Sequence, residues 1–186
     1  MKAQTVQEGV SLQDYLSGEQ QTEIRHEYIN GTTHAMGGAS ATHNLIAGNV
    51  FAVLHAAARN SSCQVFMADM KVYLKIAEED VFYYPDLLLS CDPEDNEEYY
   101  RTRPCLIVEV LSPTTERIDR REKFMAYTSL PLLQEYVLIA QDRQAVMVFR
   151  RKNSWKPELF QGGEQFSSDC PECTLPLAEV YNGVEL

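Results

Sequence analysis

The sequence lacks any apolar run approaching the roughly 20 residues that cross a bilayer. Its opening stretch, MKAQTVQEGVSLQDYL, lacks the basic-then-apolar layout of a secretory leader. A soluble, cytoplasmic protein with no membrane contact is the expectation. Basic charge is also scarce, and the net charge of −11 argues against a broad nonspecific nucleic-acid surface. It leaves room for a local basic patch or for an acidic pocket that fills with metal. Neither G-x-x-x-x-G-K nor G-x-G-x-x-G occurs, so nothing supports a glycine-rich phosphate cradle. The five cysteines are Cys63, Cys91, Cys105, Cys170 and Cys173, an odd count that argues against a disulfide framework. Cys170 and Cys173 form a lone C-P-E-C without a second pair at ligand spacing, whereas structural zinc usually takes four ligands. Reduced structural thiols are expected. Repeats, linkers and low-complexity segments are absent, and 186 residues suit one domain over 1–186 with a well-buried core.

What is present reads as alternating helix and strand patterns. Ser11 fits the N-cap of a short helix reaching Gln21, with Leu12, Tyr15 and Leu16 on one face. Asn30-Gly31 marks a two-residue hairpin whose first arm carries Glu27 and Ile29 on one face and Tyr28 on the other. Ser40 caps a helix of about 18 residues with an apolar stripe at Ile46, Val50, Val53, Leu54 and Ala57. His43 falls on that stripe and should face the core. The period then changes to two, giving strand candidates CQVFM, MKVYLKI and VFYY-PDLLLS. Residues 91–103, with five acidic side chains, read as a solvated loop. CLIVEVLS is a near-continuous apolar run, typical of a strand covered on both faces. A helix TERIDRREKFMAYTS follows, capped by Thr114 or Thr115, with Asp119, Lys123 and Tyr127 sharing a face. EYVLIA, AVMVFRR and WKPELF add strands, and TLPLAEVYNGVEL supplies a short terminal helix. The pattern indicates an α/β fold with a mixed central sheet.

Two strands each carry one carboxylate, Asp86 in YYPDLLLS and Glu109 in LIVEVL, the latter on the face of Ile107 and Leu111. An ionised carboxylate placed in a buried strand loses its hydration unless something compensates. A divalent cation does so cheaply. If the two strands pair, both acids reach one point, and a few oxygen ligands with room for water and phosphate suit Mg²⁺. The Val110 carbonyl is a further candidate ligand, and Lys123 could orient water or stabilise charge developing on a phosphoryl group. Each member has a plainer reading. An isolated Pro-Asp commonly just opens a strand, Glu109 could serve a structural ion pair, Lys123 could be a solvated charge, and Tyr127 could simply pack in the core. The conjunction in this order is what singles them out.

That order, Pro-Asp, a loop, Glu-x-hydrophobic, then Lys-x-x-x-Tyr on a helix, resembles the PD-(D/E)XK nuclease superfamily. More closely, the chain resembles that superfamily's bacterial putative restriction endonuclease family, abundant in photosynthetic bacteria. The likeness extends over nearly the whole chain, through EYINGTTHAMGGASATHNLIAGNV, ADMKVYLK, YYPDLLLSCD, IVEVLSPTTERIDRREKFMAYTSLPLLQEYVLI and CTLPLAEVYNGVEL. The resemblance implies a restriction-endonuclease-like mixed sheet flanked by helices, with an N-terminal hairpin and helix. It also implies Asp86 and Glu109 as metal-binding acids, with Glu27 assisting. The third motif position holds Leu111 where the superfamily has lysine, and the resemblance points to Lys123 on the next helix as the replacement. Lys71 is the second candidate. His43 lies in a family-like S-x-x-H-N segment, although a satisfied core histidine is the commoner explanation. The implied activity is Mg²⁺-dependent endodeoxyribonuclease, with Mn²⁺ able to substitute, DNA as partner, and a homodimer suited to cutting both strands. The alternatives are a catalytically weak or inactive nuclease-fold binding or regulatory module, and a metal-dependent hydrolase of another phosphate ester.

Overall fold

The computed structural model describes residues 6–186, so the first residues of the opening stretch lie outside it. β1 (Val6–Gln7) leads to α1 (Leu12–Glu19), where the Ser11 hydroxyl accepts from the Asp14 N–H at 3.1 Å and caps the helix. β2 (His26–Ile29) and β3 (Thr32–Ala35) form the expected hairpin. Asn30 and Gly31 take φ of 43° and 88°, the left-handed pair that a two-residue turn needs. Ser40 caps α2 (Ala41–Ala58) through the His43 N–H at 3.1 Å, and Ile46, Val50 and Leu54 are buried on the expected stripe. β4 (Gln64–Met67), β5 (Lys71–Ile76), β6 (Glu79–Tyr83) and β7 (Leu87–Ser90) follow.

VFYY-PDLLLS therefore forms two strands rather than one. Pro85 has no N–H to give a ladder, and the chain uses Pro85-Asp86 to pass from one sheet into the other. The acidic loop contains a two-residue strand, β8 (Tyr100–Arg101). Buried Asp95 organises this loop by accepting from the Ser90 hydroxyl at 2.7 Å, the Thr102 N–H at 2.8 Å and the Arg103 N–H at 3.1 Å.

β9 (Leu106–Leu111) is buried along its whole length, as the apolar run requires. The helix after it is not uniform. A turn of α3 (Glu116–Ile118) gives way to a π-helical segment, Asp119–Lys123, before α4 (Phe124–Thr128). Short π segments inside helices are frequent at functional sites. β10 (Glu135–Ala140), β11 (Ala145–Arg150) and β12 (Pro157–Gln161) continue the second sheet. β13 (Gln165–Asp169) and β14 (Glu172–Pro176) form a separate hairpin before α5 (Leu177–Val180). Buried Glu135, paired with Arg150, ties this hairpin down by accepting from the Ser168 hydroxyl at 2.6 Å and the Asp169 N–H at 3.1 Å.

The architecture is mixed α/β. One six-stranded sheet runs β1-β3-β2-β6-β5-β8 and the other β12-β11-β10-β9-β7-β4, where the expectation had one central sheet. β9 and β10 are parallel, and β9 pairs antiparallel with β7. Leu106, Val108 and Val110 of β9 pack with the core that includes Ile46, Val50 and Leu54 of α2. Ile107 and Leu111 point instead to a second core, which contains Val72, Val81 and Tyr83 of the first sheet and Ala126 and Tyr127 of α4. Glu109 shares their face, so it enters the layer between the sheets. Among the described residues, no helix is long and apolar enough to cross a membrane.

The cysteines depart from expectation. Cys63 is bonded to Cys91 and Cys105 to Cys170, while Cys173 is free. The cause is tertiary. The β4–β7 register, Gln64 against Ser90, sets Cys63 across from Cys91. The β13–β14 hairpin, with no counterpart in the expected elements, carries Cys170 to the start of β9. Counting cysteines along the chain cannot see either juxtaposition.

Candidate metal centre

The β7–β9 register pairs Leu87 with Val108, and one further step sets Asp86 across from Glu109. Both acids thus reach the mouth of the inter-sheet layer by strand pairing alone. Asp86, at the strand end, accepts the Val110 N–H at 2.7 Å. Glu109 is buried deeper, at 4% exposure. Glu27 arrives from β2 of the other sheet, while its neighbour Tyr28 turns to the opposite side and packs with Tyr15 and Phe82.

Lys123 sits at the centre. Its Nζ lies 3.0 Å from Glu27 Oε1, 3.1 Å from Glu109 Oε1 and 3.4 Å from Asp119 Oδ1, and 5.4 Å from the centroid of the Tyr83 ring. Burial disfavours the ammonium, but Glu109, Glu27 and Asp119 overcome that and hold it well above the usual lysine range. Tyr127 donates its hydroxyl to Glu109 Oε1 at 3.1 Å. The Asp119–Lys123–Tyr127 spacing places all three in this layer, and the Tyr136 hydroxyl fixes the π segment by donating to the Asp119 carbonyl at 3.0 Å.

His43, in the first turn of α2, brings Nε2 to 3.2 Å from Asp86 Oδ2. Burial works against its charged form, yet the hydrogen bond and charge of Asp86, with the Val110 backbone and Asp119, raise its pKa above the usual value. Its Nδ1 is buried without a partner, so His43 does not have the environment of a satisfied core histidine.

The structure therefore gathers Glu27, Asp86, Glu109, Lys123, Tyr127 and His43, with Val110 contributing its N–H to Asp86. It does not gather Lys71. That lysine is buried on β5, 3.3 Å from the Tyr84 hydroxyl, which donates at 2.7 Å to Glu19, itself 2.8 Å from His26 Nδ1. Burial lowers the Lys71 pKa, and its surroundings tie α1 to the first sheet. Lys71→Met is accordingly expected to cost about 1 kcal/mol of stability and to leave any cleavage rate near wild type, readable by urea unfolding beside an initial-rate assay.

Asp119 is the member that the sequence reading left out of the site. It is 1% exposed, and Oδ1 has no well-directed hydrogen bond. The signal was its four-residue spacing from Lys123, which also fits a helix-stabilising ion pair.

Four carboxylates thus face one ammonium and one imidazole. Burial pushes Glu109 well above the ordinary carboxylate range against the pull of Lys123, with Asp119, Asp86 and Glu27 adding to the rise. Burial raises Asp119 as well. A surplus of crowded hard oxygens, one of them without a well-directed hydrogen bond, fits a divalent cation such as Mg²⁺ and does not fit a thiophilic metal.

The elevated folded-state pKa values of Glu109, Asp119 and His43 share one sign. Each favours the protonated folded state, so in the metal-free chain their contribution to stability is full below the ordinary pKa values and is lost as pH rises through the raised ones. A divalent cation bound here would have to displace those protons, so any stabilisation it gives should grow with pH. At a hundredfold excess over the dissociation constant, Mn²⁺ should contribute about 2.7 kcal/mol, roughly 5–10 °C in Tm for this size. Calorimetric scans at pH 6 and pH 8.5 should show the larger shift at pH 8.5.

Paired strand acids with a helix-borne lysine, held between sheets, define a restriction-endonuclease-like arrangement. The sequence profile of the family described as "Uma2: Putative restriction endonuclease" matches residues 12–178, and the chain belongs to that family. An uncharacterized protein of Synechocystis sp., slr1290, is 29% identical over 178 residues, covering 94% of this chain and 93% of its own. A second from that organism, sll1609, is 35% identical over 131 residues, covering 69% of this chain and 73% of its own. The fold is also similar to the crystal structure of a putative nuclease belonging to DUF820 from Anabaena variabilis. That match has a TM-score of 0.71 at 16% identity and covers 88% of this chain and 93% of the other.

Proposed function

We propose that the chain is a Mg²⁺-dependent endodeoxyribonuclease in which Asp86 and Glu109 hold the cation, with Glu27 and the Val110 carbonyl assisting. The observation that carries this reading is the convergence of Asp86 and Glu109 across paired strands, beside a buried ammonium that three carboxylates keep charged. A bound Mg²⁺ would polarise a phosphoryl oxygen and lower the pKa of its water. Lys123 donates to the attacking water or to the phosphoryl oxygens as their charge grows. Tyr127 holds Glu109 in place, and His43 steadies Asp86. DNA as substrate is supported by the family's description as restriction endonucleases. On the helical stretch that carries Lys123, Arg117 and Arg120 pair with Glu122 and Glu116, which leaves Arg121 as the arginine there best placed to contact a phosphate. Because such contacts are few, DNA binding should show a shallow salt dependence.

The purified chain, given Mg²⁺ or Mn²⁺, should cut at least one of single-stranded, duplex, nicked and branched DNA and leave 5′-phosphate ends. A second reading, a nuclease-fold binding or regulatory module, draws on the net charge of −11 and on the lysine's absence from its motif position. Nucleic-acid or protein binding without turnover would favour it. Turnover of another phosphodiester with all DNA left intact would favour a hydrolase of a different phosphate ester.

A further inference from the structure

Away from the carboxylates, four of the five cysteines meet at one place. Cys63 precedes β4, Cys91 follows β7, Cys105 precedes β9, and Cys170 sits in the β13–β14 turn. Sulfur of Cys91 is bonded to that of Cys63, yet lies 3.6 Å from the Cys105 sulfur and 3.4 Å from the Cys170 sulfur. The sulfurs of Cys91, Cys105 and Cys170 all fall within 4.8 Å of one another. Zinc holds thiolates at about 2.3 Å in a tetrahedron, which places neighbouring sulfurs about 3.8 Å apart. The contacts between the two disulfides are already close to that separation. Four segments distant in sequence supply the sulfurs, with Cys63 outside the group of three but bonded to its member Cys91.

We infer that, when its two disulfides are reduced, the chain binds one Zn²⁺ through the clustered Cys91, Cys105 and Cys170, with Cys63, released from Cys91, turning in as the fourth ligand. Two equivalents of a dithiol deliver four electrons and four protons, yielding four protein thiols and two oxidised dithiols. Zn²⁺ then displaces four protons, leaving a tetrathiolate. Cys105 is buried and the other three are half-buried, and a recess bounded by His55, Arg59, Ser61 and Cys63 opens to solvent on the Cys63 side. Cys173, the free thiol, lies outside the sulfur cluster and is bonded to none of its members, so it is left out of the ligand set. The metal would join the β13–β14 hairpin to β4, β7 and β9, as the disulfides do in the oxidised chain. Soft thiolates choose zinc, whereas the carboxylate site chooses a hard cation, so the two sites are chemically distinct and this inference stands apart from the nuclease reading.

The test is to reduce the full chain with dithiothreitol under argon, load it with Zn²⁺ or Co²⁺, and desalt it anaerobically. One thiolate-bound metal per chain is expected beyond any held by the carboxylates, with the sulfur-to-cobalt charge-transfer absorption that oxygen ligands cannot produce. Cys105→Ser and Cys170→Ser should each lower retained metal at least tenfold, and Cys173→Ser should leave it unchanged. Reduced wild-type chain without thiolate-to-cobalt absorption, or Cys105→Ser and Cys170→Ser variants that keep it undiminished, would overturn the inference. The wild-type spectrum decides the matter even where a variant fails to fold.

Discussion

Lys123→Met should abolish DNA cleavage and, without metal, destabilise the fold by about 3–5 kcal/mol at pH 8, the usual consequence of removing one partner from a buried ion pair. Glu27, Glu109 and Asp119 all lie within 3.4 Å of the ammonium, so its loss leaves three carboxylates facing one another in a layer with little water. Those carboxylates can respond only by taking up protons. The variant should therefore recover stability as pH falls toward 5, and adding Glu109→Gln to it should recover part of the loss at pH 8. Mn²⁺ should stabilise the variant more than wild type, because the cation replaces the missing positive charge. Cleavage should stay absent with metal, since among the described residues no other ammonium reaches this point. Urea unfolding at the two pH values and an initial-rate assay separate the effects.

Asp86→Asn should behave in the opposite way, leaving the fold nearly intact and removing activity. The asparagine carbonyl can still accept the Val110 N–H, and the position is partly open to solvent. What disappears is a charged metal ligand. Lewis-acid stabilisation of several kcal/mol corresponds to a rate loss on the order of 10³. The same change removes the hydrogen bond and charge that raise the His43 pKa, so its imidazole should titrate lower in the variant, as followed by NMR. A normal unfolding curve, a lost rate and a shifted histidine together would place Asp86 at the metal. An unchanged rate would remove it.

Most of the site was legible along the chain because strand and helix periods specify faces. Period two put Glu109 with Ile107 and Leu111, four-residue spacing aligned Asp119, Lys123 and Tyr127, and Asn30-Gly31 fixed the hairpin carrying Glu27. Neighbouring strands then brought Asp86 opposite Glu109. Sequence reading lost its hold where sheet membership decided the outcome. Lys71 shares a sheet with Glu27, but its side chain enters the Glu19–Tyr84 cluster, a choice that alternation does not encode. The β13–β14 hairpin escaped notice because QFSSD and ECTLP bury only Phe166, Ser168 and Leu175 completely, too few for a strong pattern. The cysteine cluster depends on that hairpin and was hidden with it. A π segment likewise leaves no periodic trace within five residues.

If the crowded carboxylates are a divalent-cation site used to cut DNA, metal occupancy and cleavage must rise together. The most direct test is a Mg²⁺ titration of wild type and Asp86→Asn, with DNA cleavage and calorimetric metal binding read on the same preparations. Wild-type cleavage should rise along the binding curve, and the variant should show weakened binding and no cleavage. Cleavage without added divalent cation in the presence of chelator, or equal cleavage by the two proteins, would contradict it.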